Sequence, residues 1–278
     1  MRNGMSRMFT GLLLFAPVVA AQPLVPSGCQ LPFAAISVQH PIDSSCTVAG
    51  KSTSPAPTKL QNTAKNNFCA TGSPQTFTPQ QLVDLQTKTK IPTGQEKEPT
   101  TRSAAEALGE GKLVRIVAFI IEAHYADLGT GESVNCALPT EEGNDIHIAL
   151  GATAATPECS SVTAEISPHG RPTSWSNIGH FQAFDNTTKK NVINAALKAR
   201  LQAQPFRFTG QLFFDASHEP CPCGTSCDPQ RSSDWEIHPV YNIEACKSGT
   251  KCIEGQDADW IAFDSWWNNT GPAPAKKK

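Results

Sequence analysis

Two short pairs, Asp145-Ile-His147 and Glu236-Ile-His238, each set a carboxylate and an imidazole two residues apart. Strand side chains alternate with period two, so each pair lies side by side on one strand face. Glu165 and Asp215 sit in further strand-like runs, and if they point the same way the face holds two imidazoles and up to four carboxylates. Such a set can bind Zn²⁺ or Mn²⁺, or supply a general base held in its tautomer by an adjacent carboxylate. Structural hydrogen bonding and polar contacts to a ligand use the same residue types, and both readings stay open. His218, in a loop just before Glu219-Pro220, joins the candidates, whereas His124, His169 and His180 stand alone and read as surface or capping histidines.

Other signals are weaker. Cys221-Pro-Cys223-Gly-Thr-Ser-Cys227 lacks zinc-ribbon spacing. Trp175 and Phe181 can stack on bases or sugars, or simply fill the mouth of a barrel. Asn186-Thr-Thr188 and Asn268-Asn-Thr270 are glycosylation acceptors only on a eukaryotic secretory route. The chain has no Gly-rich phosphate loop, Gly-X-Ser-X-Gly elbow or His-Glu-X-X-His motif.

The elements that must position these residues begin at Gly111. Leu113 to His124 is apolar in both alternate sets, which predicts a central strand buried on both sides and able to pair on both edges. Asp145–Leu150 and Val162–Ser167 alternate as shorter strands, and Thr187–Gln204 changes to helical spacing with a stripe of Val192, Ile193, Ala196, Leu197 and Leu201. In the next strand, Phe206–Asp215, Phe206, Phe208, Leu212 and Phe214 share a face, and Gly210 sits where a strongly bent strand wants no side chain. In the last, Trp235–Glu244, Trp235, Ile237, Tyr241 and Ile243 share a face, while Pro239 requires an edge or a bulge. Three strands, a helix and two strands is the order of a five-stranded OB-like Greek-key barrel in a mainly β chain. In that barrel the second and third strands line the usual ligand face, with the fifth expected elsewhere around the circumference.

The flanking segments differ in character. Arg2 and Arg7 before the apolar run Met8–Ala20, ending in small residues, predict a signal peptide over 1–21. Residues 22–108 form a loop-rich, Cys-containing segment with short helices expected at Lys59–Phe68, whose Leu60, Ala64 and Phe68 are four apart, and at Pro79–Gln86, capped by Thr78 and Gln81. A polar stretch, Lys88–Arg102, leads to a helical start at Ser103–Glu106; the barrel spans 109–247 and the tail 248–278, where Trp260, Ile261, Phe263, Trp266 and Trp267 predict a docked helix. The ten cysteines, Cys29, Cys46, Cys69, Cys136, Cys159, Cys221, Cys223, Cys227, Cys246 and Cys252, are an even count and read as disulfides, Cys246 and Cys252 pairing with each other or with the 221–227 loop. Removing two of the 23 basic side chains with the signal leaves 21 against 25 acidic ones, a balance that argues against non-specific nucleic-acid binding. No later apolar run is long enough to span a bilayer.

Asn144-Asp-Ile-His147, Thr163-Ala-Glu-Ile-Ser-Pro168, Thr209-Gly-Gln-Leu-Phe-Phe-Asp-Ala-Ser-His218 and Trp235-Glu-Ile-His-Pro-Val240 resemble a group of uncharacterised exported bacterial proteins. The resemblance runs from about Gly111 to Cys246 and implies export and a domain boundary; it carries no activity. By fold analogy alone, OB barrels include oligonucleotide and oligosaccharide binders and staphylococcal-type nucleases. That nuclease's calcium-binding carboxylates and paired arginines have no counterpart here.

The resulting expectation is an exported OB-like binding or interaction module of unknown ligand, with an oligosaccharide, a peptide or an envelope component as partner and no cofactor committed. Its ligand contacts would come from Asp145, His147, Glu165, Asp215, His218, Glu236 and His238. The alternative is a metal-dependent hydrolase, phosphodiesterase- or nuclease-like, with His147, Glu165 and His238 at its centre and both imidazoles in one cavity. A purely structural barrel would instead tie both carboxylate-His pairs into loop backbone.

Overall fold

A computed structural model of the chain describes residues 33, 36, 42, 46–91, 99–176, 182–185, 190–193, 195–215, 217–222 and 229–270. The signal segment 1–21, Phe181, His180, Asn186 and the cysteines Cys29, Cys223 and Cys227 lie outside them. In chain order the elements used below are α1 (Ala56–Lys65), β1 (Gln75–Phe77), α2 (Pro79–Lys88), α3 (Pro99–Leu108), β2 (Leu113–Tyr125), β3 (Ile146–Gly151), β4 (Val162–Ile166), β5 (Gln182–Asp185), β6 (Lys190–Ile193), α4 (Ala195–Leu201), β7 (Phe206–Phe214), β8 (Trp235–Cys246), β9 (Trp260–Ala262) and α5 (Phe263–Thr270).

Five of these strands close a barrel. β2 pairs with β3 and β3 with β4, both antiparallel; β4 pairs with β8 in parallel, β8 with β7 antiparallel, and β7 returns to β2. This is the OB-like circuit that the element order predicts, and it corrects one expectation. The fifth barrel strand, β8, is hydrogen-bonded to the third, β4, so Glu236 and His238 lie beside Glu165 rather than elsewhere on the circumference. The long strand β2 does pair on both edges, with β1 in parallel at Val114–Ile116 on one side and β7 on the other. Its outward set is less covered than expected, since Val117 and Phe119 are only half-buried.

The interior is apolar because the alternation holds. Ile146, Ile148, Leu150, Val162, Ala164, Ile166, Phe206, Phe208, Leu212, Phe214, Trp235 and Ile237 share one core. Along β8 the pattern then slips: Val240 takes the core position, and Tyr241 joins a second cluster outside with Ile36, Phe68, Ala70 and Leu113. The cause is a bulge at Gly210, where the β7–β8 register shifts on both sides opposite Val240. A Cβ at Gly210 would collide with Ile237 Cγ2 and lie 2.5 Å from the Pro239 carbonyl oxygen, so only glycine fits.

The predicted helix over Thr187–Gln204 divides: Val192 and Ile193 belong to β6, paired with β5, and only Ala195–Leu201 is helical. Buried Leu197 and Leu201 pack into the barrel core, as do Phe263, Trp266 and Trp267 of α5. Trp175 is fully buried 4.8 Å from Phe263, which makes it a filling residue and not a stacking platform. The α2 capping box between Thr78 and Gln81 forms as expected. Three disulfides are present among the described residues: Cys46–Cys136 ties the N-terminal segment to the β2–β3 connection, Cys159–Cys221 links the β3–β4 and β7–β8 connections, and Cys246 pairs with Cys252. No helix among the described residues is long and apolar enough to cross a membrane.

Replacing Gly210 with alanine is expected to cost roughly 3 kcal/mol, because backbone and a packed Ile side chain must move. Urea unfolding of the variant measures it, and a loss below about 1 kcal/mol would show that the bulge accommodates a Cβ.

Candidate functional site

Outward-facing side chains of a barrel usually meet water, but here one sector does not. β3 sets His147 opposite Glu165 of β4, and β4 sets Thr163 opposite Glu236 of β8. Asp145 just precedes β3 and Asp215 just follows β7, so seven candidate side chains gather on neighbouring strands and their ends. Asp145, Glu165, Asp215, Glu236 and His238 are 0% exposed and His147 is 4% exposed. Helix α1 covers them. Its expected apolar stripe holds only in part: Phe68, just past its end, is buried, but Leu60 points out at 39% exposure, and within the helix Gln61, Asn62 and Lys65 are the buried side chains. A helix buries its polar side where the surface beneath is itself polar and supplies partners for the buried groups.

Glu165 is the hub. Its Oε1 lies 3.0 Å from His147 Nε2, and its Oε2 lies 3.2 Å from His238 Nδ1 and 3.6 Å from the Lys65 ammonium. His238 also approaches Asp145 Oδ2 through Nε2 at 3.6 Å and Glu236 Oε1 through Nδ1 at 3.5 Å. The two imidazoles thus share one carboxylate, and neither pair is tied into loop backbone by its imidazole, against the purely structural expectation. Asp215 forms a second hub: Lys65 lies at 3.8 Å, Arg231 at 3.7 Å and His218 Nδ1 at 3.1 Å, and Gln61 donates to it at 3.4 Å. Arg231 donates to Glu236 at 2.7 Å and reaches Asp234 at 3.5 Å. His218 is 38% exposed, so the Asp215 hub opens to solvent at that edge.

The electrostatics follow from burial. The Lys65 ammonium is held well above its ordinary range because Asp215 and Glu165 outweigh its desolvation. Glu165 is held well below the carboxylate range, since His147, Lys65 and His238 outweigh burial; Asp215 is lowered likewise by Lys65, His218 and Arg231. Burial, with Glu165 as neighbour, pushes Asp145 up to about 7 and Glu236 well above its ordinary value. Burial lowers His238 to about 3, so its ring is neutral near pH 7. Among the described residues, three sets of side chains offer ligand atoms within 4.8 Å of one another: Glu132, His147 and Glu165; Asp145, Glu165 and His238; Glu165, Asp215 and Glu236.

All seven candidates come together, and the sequence reading omitted several neighbours. Lys65, Arg231, Glu132 and Asn135 carry no motif; Lys65 and Gln61, four apart on α1, are the one legible trace. His124 and His169 are buried rather than superficial: His124 packs 5.6 Å from His147, and His169 sits edge-on 4.7 Å from Phe33.

A carboxyl with a raised folded pKa stabilises the fold while protonated and loses that contribution as pH rises through the folded value. Asp145 and Glu110, both pushed up to about 7 chiefly by burial, and Glu132, pushed up to about 8 by burial and by Asp145, titrate there, and Glu236, raised well above its ordinary value, adds to the same slope. The unfolded His238 ring loses its proton near its ordinary value while the folded ring is already neutral, which offsets about 1 kcal/mol in the opposite direction. In chelator, stability should therefore fall by at least about 2 kcal/mol between pH 6 and 8, and less in Asp145→Asn. Urea titrations at the two pH values measure this, and a flat or rising profile would contradict the assigned shifts. No protein-family model, curated protein or solved structure matches this chain.

Proposed function

We propose that this is an exported OB-like binding module whose ligand face is the outer surface of β3, β4 and β8. One observation carries the reading: both carboxylate oxygens of Glu165 are fully buried and have no well-aligned hydrogen bond, although two imidazoles and an ammonium surround them, with His147 Nε2 at 3.0 Å. Buried polar groups without partners cost stability, and native chains keep them where a ligand uses them. The position agrees, because OB-type barrels take ligands on the face of their second and third strands and on the adjoining loops. Export is supported by the disulfides and by the signal-like N-terminus, and the resemblance to exported bacterial proteins points the same way. The ligand classes consistent with this face are a divalent cation, an oligosaccharide, a peptide and an envelope component.

A second reading, a metal-dependent hydrolase of phosphodiesters, is favoured by the His218–Asp215 pair. A half-exposed imidazole held at 3.1 Å by a buried carboxylate is the arrangement of a general base. The dyad stands at the open edge of the cluster, with the His218 ring 6.4 Å from that of His147.

A thermal-shift screen across the four ligand classes tests the first reading. At least one class should stabilise the wild type by several degrees and leave Glu165→Gln unmoved; no shift in any class contradicts it. The hydrolase reading adds that a chromogenic phosphodiester is cleaved by the wild type and not by His218→Asn, and the absence of turnover with every divalent cation rejects it.

A further inference from the structure

We propose that Asp145, Glu165 and His238 together hold a divalent cation of the Zn²⁺ or Mn²⁺ class, an assignment that rests on reading the outer face of β3, β4 and β8 as the ligand face. Of the three sets with converging ligand atoms, two are already committed elsewhere. Glu132, half-buried, accepts through Oε2 from the Asn135 amide at 3.4 Å and from the Asp145 backbone N–H at 3.1 Å. In the set of Glu165, Asp215 and Glu236, the last two both meet Arg231, and Asp215 shares Lys65 with Glu165. The set of Asp145, Glu165 and His238 is different. Asp145 Oδ2, both Glu165 oxygens and both His238 nitrogens are buried without an aligned hydrogen bond, Asn135 occupying only the other Asp145 oxygen, and all three side chains are 0% exposed.

The donor chemistry narrows the ion. Two carboxylates and a neutral imidazole around a dication give a complex of zero net charge, which suits a site sealed from water. An imidazole with two carboxylate oxygens and no thiolate favours Zn²⁺ or Mn²⁺ over soft ions, and over Ca²⁺ or Mg²⁺, which prefer all-oxygen shells. The His238 ring has a further feature of metal-bound histidines. Its Nε2 faces Asp145 Oδ2 while its Nδ1 faces Glu165 Oε2 and Glu236 Oε1, so one nitrogen can ligate while the other donates to a carboxylate that fixes the tautomer. Charge also calls for it: among the described residues, the cations that face Glu132, Asp145, Glu165, Asp215, Asp234 and Glu236 most strongly are Lys65, Arg231 and Arg171, three against six.

The test uses the oxidised chain, stripped with EDTA and titrated with Zn²⁺, Mn²⁺ and Co²⁺ by calorimetry and visible absorption. The expected result is one ion per chain. Asp145→Asn and His238→Gln should each weaken it by more than the roughly 10–100-fold that outer-shell changes cost. Glu132→Gln should leave affinity within a few fold, and far-UV circular dichroism and thermal midpoints check that each variant is folded. Should a variant fail to fold, the wild-type Co²⁺ derivative still decides: its paramagnetically shifted NMR spectrum should show a single coordinated imidazole. Two coordinated imidazoles, or binding lost in Glu132→Gln but kept in Asp145→Asn, overturn the assignment. So does absence of stoichiometric metal while another ligand class protects the wild type and not Glu165→Gln, in which case the ligand face stands without the metal. No ligand of any class would remove both.

Discussion

Burying charge dictates the rest of this structure. Carboxylates taken out of water cost several kcal/mol each unless cations and hydrogen bonds replace the solvent. The layer between the barrel's outer sector and α1 buries Asp145, Glu165, Asp215 and Glu236 completely. Each nearby feature acts on that problem. Lys65 reaches down from α1 between Glu165 and Asp215, and Arg231, itself fully buried, bridges Asp215, Asp234 and Glu236. The cover is fastened by polar contacts rather than an apolar seam: Asn62 and Asn66 donate to the Ala49 and Val48 carbonyls at 3.0 Å, and Gln211 of β7 donates to the Ala64 and His238 carbonyls at 2.8 Å. The Cys46–Cys136 bridge holds the preceding segment in place, closing a loop of 90 residues whose constraint on the unfolded chain favours the docked state.

The barrel makes this layer possible by topology. Parallel pairing of β4 with β8 brings residues from distant parts of the chain into one sector, with Glu165 of one strand beside Glu236 and His238 of the other. The apolar interior on the opposite faces of the same strands keeps the backbone fixed beneath them, so the polar sector need not supply its own rigidity. Partial satisfaction is the informative state. The Asp215 side has its cations and a half-exposed histidine, while the Glu165 carboxylate, Asp145 Oδ2 and the His238 ring have close neighbours but no aligned hydrogen bonds; Asp145 Oδ1 alone is served, by the Asn135 amide at 2.9 Å. A layer built only for stability would have replaced these groups with apolar ones at no loss.

Much of this was legible in the sequence. Alternation in β3, β4 and β7 identified strands and faces, the order of elements identified the barrel, and the period of two placed Asp145 with His147 and Glu236 with His238. What was not legible depended on contacts across the chain. Tyr241 left the expected core face because the bulge at Gly210 shifts register, which no local pattern encodes. In the stripe of Leu60, Ala64 and Phe68, Phe68 is buried just beyond the helix but Leu60 points out, because α1 itself packs on charge through Gln61, Asn62 and Lys65. Val192 and Ile193 fit a helical stripe equally well and pair with β5 instead. Lys65 and Arg231 are ordinary surface residues by composition; only the carboxylates they meet make them part of a site.

Anomalous X-ray scattering from crystals grown with Zn²⁺, recorded on both sides of the zinc edge, tests the central claim most directly. The account predicts one strong peak at ligand distance from Glu165, Asp145 and His238, with Lys65 still directed at Asp215. A cluster with no peak, its carboxyls instead joined by short hydrogen bonds to one another and to ordered water, would show that protons alone balance the buried charge, and would contradict it.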